Sequence, residues 1–188
     1  MSGLLIRPAL PSDYDSISRL TVAAYEADGQ LVTESGYASV LADVAARAGA
    51  AATDVLVAAD EASGQVLGAV TFVRPDSPYA ELSGPGEAEF RMLAVDPAAQ
   101  RRGVGEALVR ACVDRATRLG CTALVICTRD FSMPAHRLYA RLGFVRTPER
   151  DWSPLPGVDL IALRLDLAGG PGARPPGTSR RQPSANAS

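Results

Sequence analysis

Gln100, Arg101, Arg102, Gly103, Val104 and Gly105 stand immediately before an amphipathic run, inside the stretch Ala88–Leu108 that reads AEFRMLAVDPAAQRRGVGEAL. Two arginines, two glycines and a fresh helix start suit one kind of guest, a phosphate. The first turn of a helix leaves four backbone N–H groups unpaired and carries a partial positive charge. Glycine lets the main chain approach an anion with no Cβ in the way. Arginine adds paired donors that match phosphate oxygens. No Ser, Thr, Asn or Asp occupies the cap position, so the helix start is left to a ligand or to water. Two other phosphate motifs are excluded. A GxxxxGK[ST] loop needs a lysine, and all 19 basic residues of the chain are arginine. A GxGxxG fingerprint needs a third glycine where Leu108 stands. Taken alone, the glycine pair is as readily a turn device as a site.

The elements that must hold this stretch are readable from period and punctuation. Leu4–Arg7 predicts a short strand ended by Pro8. Ser12 and Asp13 offer caps to a helix reaching Tyr25, with Ile17, Leu20, Thr21 and Ala24 at helical spacing. Residues 26–36 read as loop, and Tyr37–Ala48 as a second helix with Val40, Leu41 and Val44 on one stripe. Val55–Ala59 and Gln65–Arg74 form a hairpin turned at Glu61–Gly64. Pro75–Gly86 is a Pro/Gly-rich connection to a strand over Glu87–Val95. The helix after the glycines runs to Leu119, burying Val104, Leu108, Ala111, Cys112, Ala116 and Leu119, and Gly120 stops it. Ala123–Cys127 is an apolar run, as in a strand buried on both faces. Ser132 can cap a further helix with Pro134 in its first turn. Its stripe is Ala135, Leu138, Tyr139 and Leu142, and Gly143 ends it. Phe144–Arg146 starts a strand, and Asp159–Leu167 alternates as the last one. The order is β-α-α-β-β-β-α-β-α-β-β. It predicts a mixed α/β fold with a mostly antiparallel central sheet, one right-handed parallel crossover and helices on both faces. Residues 1–167 form the domain. Residues 168–188 lack apolar periodicity and are rich in Gly, Pro and Ser, so a disordered tail is expected.

Composition narrows the function. An apolar fraction of 47% supports a full core, and a net charge of −2 gives no case for nucleic acid or an anionic membrane. Cys112, Cys121 and Cys127 make an odd count without a CxxC pair, so free thiols are expected rather than a disulfide framework or a metal site. The N-terminus has too few consecutive apolar residues for a signal peptide, and no run reaches a membrane span. A soluble, cytoplasmic protein is the expectation.

Two segments together carry a resemblance. The sequence VDPAAQRRGVGEAL resembles the acetyl-CoA pyrophosphate motif [RQ]-x-x-G-x-[GA] of the GCN5-related N-acetyltransferases, the GNAT superfamily, with Gln100, Gly103 and Gly105 at its fixed positions. About 30 residues on, Ala135-His-Arg-Leu-Tyr139-Ala-Arg-Leu-Gly143-Phe144 resembles that family's AxxLYExxGF segment. The element order agrees from Leu4 to Leu167. The resemblance implies a GNAT-type sheet whose strand before the motif splays from its neighbour. Pantetheine would lie in the gap along Leu93, Ala94 and Val95, and the pyrophosphate on the backbone of Arg101, Arg102, Gly103, Val104, Gly105 and Glu106. Ser132 stands where many members have Asn in contact with the cofactor. Tyr139 matches the tyrosine that often protonates the departing thiolate; it also reads as a core aromatic beside Leu138 and Leu142. Glu89 matches a position where some members carry a catalytic base. Strict alternation puts it on the same strand face as Leu93 and Val95, and it also reads as a strand glutamate paired with Arg91. His136 reads as an exposed helix residue.

The resemblance bounds the acceptor pocket by residues 25–37 and 147–158. Both include acids (Glu26, Asp28, Glu34, Glu149, Asp151), which fit either a cationic substrate or solvated loop charges. Trp152 either walls that pocket or pins its loop. The implied activity is acetyl transfer from acetyl-CoA to a primary amine, on a small molecule or a protein, by direct attack in a ternary complex and without a metal. A non-catalytic acyl-CoA-binding sensor or scaffold is the alternative, and either is compatible with a homodimer.

Overall fold

Alternation through the first hairpin sends Leu56, Ala58, Val70 and Phe72 to one side and Val55, Val57 and Ala69 to the other, and both sides are buried. A sheet with two apolar faces needs helices on both. The computed structural model describes residues 3–31 and 36–167, so the tail 168–188 and Glu34 lie outside the described residues. Its elements are β1 (Leu4–Pro8), α1 (Tyr14–Ala27), α2 (Tyr37–Ala42), α3 (Val44–Gly49), β2 (Thr53–Asp60), β3 (Val66–Val73), β4 (Glu87–Val95), α4 (Val104–Arg118), β5 (Ala123–Arg129), α5 (Met133–Arg141), β6 (Val145–Arg146), β7 (Trp152–Leu155) and β8 (Val158–Asp166). The sheet runs β1-β2-β3-β4-β5-β8-β6, with β7 also on β8. Every pairing is antiparallel except β4 with β5. Helices α4 and α5 cover one face, and α1 with α3 the other. The mixed, mostly antiparallel architecture is the predicted one. Among the described residues, no helix is long and apolar enough to cross a membrane.

Four local readings change. The predicted helix over Tyr37–Ala48 is two helices. Asp43 breaks it with ψ at 70° and caps the second piece by accepting from the Ala46 N–H at 3.0 Å. The buried Arg47 guanidinium then satisfies carbonyls at the break, donating to Val40 O at 2.5 Å and Asp43 O at 3.4 Å. The predicted connection 147–158 contains a strand, β7. On α4 the buried stripe uses Val109, whereas Leu119 is 50% exposed at the helix end.

The fourth change lies inside β4. Met92 takes a left-handed φ of 53°, and the register with β3 steps from Thr71↔Arg91 to Ala69↔Ala94. That is a β-bulge, and one inserted residue exchanges the faces of everything beyond it. Before it, Phe90 points to α4 and α5, while Glu89 and Arg91 point to the α1 side. After it, Leu93 and Val95 join the cluster under α4, and Ala94 packs with Ile17 and Leu20 of α1. Glu89 is therefore on the opposite face from Leu93 and Val95, not the same one.

Gly68 sets how closely α4 approaches the sheet. A Cβ there would fall 2.8 Å from Val104 Cγ1 and 2.9 Å from the Ala94 carbonyl oxygen. Gly68→Val should lower the folding free energy by about 2 kcal/mol. It should also weaken acetyl-CoA binding, because the atom it strikes is in the first turn of α4. A lowered thermal midpoint together with a raised Kd checks this.

Candidate active site

The chain leaves β4 through a short turn capped by Asp96, whose carboxylate accepts from the Ala98 N–H at 2.8 Å. Left-handed conformations at Arg101 (φ 63°) and Gly103 (φ 79°) then swing the main chain into α4. The first intrahelical bond is Ala107 N–H to Gly103 O at 2.9 Å. The amides of Val104, Gly105 and Glu106 therefore precede the helix ladder and lie at its positive end. No side chain caps this start. A Cβ on Gly103 would meet no protein atom within 4 Å, so the site opens outward there and the glycine answers to its φ alone. Gln100 and Arg101 are exposed beside it. Arg102 reaches Asp60 at 3.2 Å, and Glu106 is held sideways by Arg110 at 2.8 Å. The residues expected to hold an anion thus lie on one continuous backbone segment at the start of α4.

Next to it the sheet opens. β4 pairs with β5 only from Glu87↔Ala123 to Glu89↔Val125, after which β5 continues along β8 and β4 along β3. The gap holds a cavity of about 280 Å³. Leu93, Ser132, Ala135 and Tyr139 line its α5 side, and Tyr25, Tyr37, Glu81, Glu89 and Arg91 line its α1 side. Its lining thus comes from elements on both faces of the sheet.

Tyr139 meets both of its readings. Its ring is 3% exposed and packs edge-on to Phe90 at 5.8 Å and against Phe144 at 5.7 Å, yet it also forms part of the cavity wall. Burial pushes the phenol far above its ordinary value, so it stays a proton donor. Ser132 is buried in the same wall. It does not cap α5 through its side chain, and its backbone N–H donates to Arg129 O at 3.1 Å.

Glu89 is 1% exposed, and its Oε2 accepts three backbone N–H groups, from Glu81 at 3.1 Å, Leu82 at 2.9 Å and Ser83 at 3.0 Å. Its Oε1 lies 3.9 Å from Arg91 Nε. Arg91 in turn donates to Tyr79 O at 2.8 Å and pairs with Glu81 at 2.6 Å. A second ionic cluster closes the base of the turn, where Glu87 receives both Arg150 and Arg164. Together with the Gly84 N–H, these cations hold the Glu87 carboxyl below its usual range against the opposing effect of burial.

Other expectations resolve by contact. The Trp152 indole N–H points at Cys127 Sγ, 3.4 Å away, which pins β7 to β5, and Pro154 and Leu155 supply the wall instead. His136 is half-buried, with its ring nitrogen 2.9 Å from Arg129 O, and so ties α5 to the end of β5 instead of standing in solvent. Of the loop acids, Asp28 reaches the cavity. Asp151 is held by Arg146 at 2.7 Å, which brings its carboxyl down to about 2. Burial pushes the Cys127 thiol up to about 11, so it is not a ready thiolate. Among the described residues, no cluster of three His, Cys, Asp or Glu is placed to hold a metal ion. Arg91, Glu81 and Tyr37 were not expected in the wall as chemical groups. Tyr37 was legible as a flank of the first loop, whereas Glu81 lies in a connection with no motif.

Residues 19–144 match the model of the acetyltransferase (GNAT) family. The chain belongs to that family. This acetyltransferase is 31% identical over 159 residues to an uncharacterized N-acetyltransferase of Schizosaccharomyces pombe, covering 85% of its own length and 91% of the relative. Its fold is shared by a GNAT acetyltransferase of Staphylococcus aureus Mu50 at a TM-score of 0.70 and 12% identity, over 88% of this chain and 99% of that one. The yncA acetyltransferase of Salmonella typhimurium, solved with acetyl-CoA, has a TM-score of 0.61 at 24% identity, over 93% of this chain and 99% of that one. The protein is an acetyl-CoA-dependent N-acetyltransferase. The matched segment contains the α4 start, the bulged strand and Tyr139, and it stops before β7 and β8. Pro154, Leu155, Val158 and Leu160, which line the cavity, lie outside the match.

Proposed function

We propose that the acetyltransferase moves the acetyl group directly onto a primary amine within a ternary complex. The observation that supports this is the cavity where β4 parts from β5, whose lining comes from both faces of the sheet and includes Tyr139 and Glu89. Acetyl-CoA enters on the α4 and α5 side. Its pyrophosphate rests on the amides of Val104, Gly105 and Glu106 with Arg101 and Arg102 beside them. The pantetheine extends along Leu93, Ala94 and Val95, the stretch of β4 without a strand partner on its β5 side, and passes Ser132. The amine enters from the α1 side past Tyr25 and Tyr37. Its nitrogen attacks the thioester carbonyl, and a strand N–H near Leu93 receives the developing oxyanion. The C–S bond breaks, the leaving thiolate takes a proton from Tyr139, and the amine loses its proton on the acceptor side to Glu89 or to water. A covalent acyl-enzyme is not needed.

The test uses the purified full chain with acetyl-CoA and four acceptors: spermidine, phenylethylamine, free L-amino acids and a hexapeptide with a free N-terminus. CoA thiol release should accompany acetylated product, and initial-velocity lines should intersect when both substrates are varied. Parallel lines would overturn direct transfer. Tight acetyl-CoA binding without thiol release from any amine would return the chain to a binding module.

A further inference from the structure

The end of the molecule where α4 begins gathers more positive charge than a pyrophosphate there would use. Helix α5 packs beside that first turn. A Cβ on Gly105 would lie 3.6 Å from Leu138 Cδ2, and Arg141 Nη2 stands 3.7 Å from Glu106 Oε2. Arg101 and Arg102 precede the turn, Arg110 follows it on α4, and Arg137 and Arg141 belong to α5. The carboxylates paired with this group are Asp60 and Glu106. The whole chain has a net charge of −2, so the positive field is local to this end.

Those carboxylates leave α5 in charge surplus. Asp60 takes Arg102 at 3.2 Å. Glu106 accepts two bonds from Arg110, at 3.0 and 2.8 Å, and meets Arg141 only at 3.7 Å. Among the described residues, the exposed Arg137 side chain has no hydrogen bond and no ion pair. Arg141 is 63% exposed, and its Nη1 reaches back along the helix to the Arg137 carbonyl at 3.5 Å. Residues four apart on a helix stand about 5–6 Å apart at Cβ, so both guanidiniums can close on one phosphate. A CoA thioester carries such a group beyond its pyrophosphate, the monoester on the 3′ oxygen of its adenosine ribose. It lies one ribose away from the pyrophosphate and is close to a dianion at neutral pH. We propose that Arg137 and Arg141 bind this 3′-phosphate, which makes the outer face of α5 a second anion subsite for the donor. This rests on the placement of the pyrophosphate at the α4 start proposed above.

The experiment titrates the full chain with three donors in a calorimeter, at about 0.15 M salt, where exposed charges more than ~8 Å apart are largely screened. Acetyl-pantetheine has no phosphate. Acetyl-3′-dephospho-CoA adds the pyrophosphate and adenosine, and acetyl-CoA adds the 3′-phosphate. The wild-type chain should bind acetyl-CoA about tenfold tighter than the dephospho donor, as fits charge-assisted bonds to one phosphate. The double variant Arg137→Gln, Arg141→Gln should abolish that preference and leave the Kd of the dephospho donor at its wild-type value. Both positions are exposed, so the changes remove no core contact. Arg118→Gln, in the last turn of α4, also removes a positive charge and should leave the preference intact. Equal binding of the two CoA donors by the wild-type chain overturns the proposal. So does a preference that survives the double variant, or one that falls as far in Arg118→Gln. In each of these cases the dephospho donor still binds tighter than acetyl-pantetheine. Equal affinity for those two donors would instead take the pyrophosphate away from the α4 start, and this proposal with it, so the two failures are distinguished.

Discussion

Tyr139→Phe should lower kcat about a hundredfold, a usual size for loss of a positioned general acid, and leave the fold intact. The aromatic contacts to Phe90 and Phe144 survive the change, because phenylalanine keeps the ring. Among the described residues, the hydroxyl makes no hydrogen bond to protein, so removing it orphans no partner. Thermal midpoint and acetyl-CoA affinity should therefore stay at wild-type values while turnover falls. The phenol, held far above its ordinary pKa by burial, does not titrate near neutrality. The loss should be uniform across the neutral pH range rather than confined to one limb. A variant with wild-type kcat would assign Tyr139 to the core alone and leave the thiolate to be protonated by solvent.

Gly103→Glu should raise the Kd for acetyl-CoA about a hundredfold. Two effects combine. The φ of 79° disfavours any residue with a Cβ by ~1–2 kcal/mol, which loosens the turn. The added carboxylate then shares the start of α4 with the pyrophosphate. At ~5 Å with an effective dielectric near 20, a like-charge pair costs about 3 kcal/mol, which by itself supplies the stated factor, while the strain of the turn falls mainly on the stability of the loop. No protein atom lies within 4 Å of the new Cβ, so a steric clash inside the protein is not part of the effect. Acetyl-pantetheine, which lacks the pyrophosphate, supplies the control, and its affinity should not change. Unaltered acetyl-CoA affinity in this variant would place the phosphate elsewhere.

The donor half of the proposed site is legible because it is local. Gly103 and Gly105, the arginines and the absence of a capping side chain lie within a few residues, on one piece of backbone at the start of α4. Tyr139 was legible for a similar reason, since its helix shows its stripe in sequence. The strand Glu87–Val95 was placed with its bounds, but its two faces were misassigned beyond Arg91. A bulge depends on how the partner strand is paired, and Met92 has no residue type that announces a left-handed conformation. The break at Asp43 was hidden similarly, because Val40, Leu41 and Val44 keep helical spacing across it. The α1-side wall of the cavity is hardest to read. Glu81, Arg91 and Glu89 meet only after a loop folds back on a strand, and that closure leaves no periodic trace. Strand β7 hid among prolines, although Trp152 and Leu155 do pair with β8.

The parting of β4 from β5 also bears on how the fold comes undone. Strands β1 to β4 with the first three helices form one block, and β5 to β8 with α5 form another. Between them run three rungs of parallel pairing, the packing of α4, the ring contacts of Phe90 with Tyr139 and Phe144, and the pairs of Glu87 with Arg150 and Arg164. Cooperative units of a protein tend to follow such boundaries. A partial opening should begin at this seam, and hydrogen exchange should find the backbone amides beside it exchanging sooner than those within either block. A guest lying in the gap adds contacts to both blocks at once, and anything bound only to the folded form stabilises it by mass action. With the acetyl donor in the gap, as proposed, the donor would also be a clamp, and raising its concentration should raise the thermal midpoint.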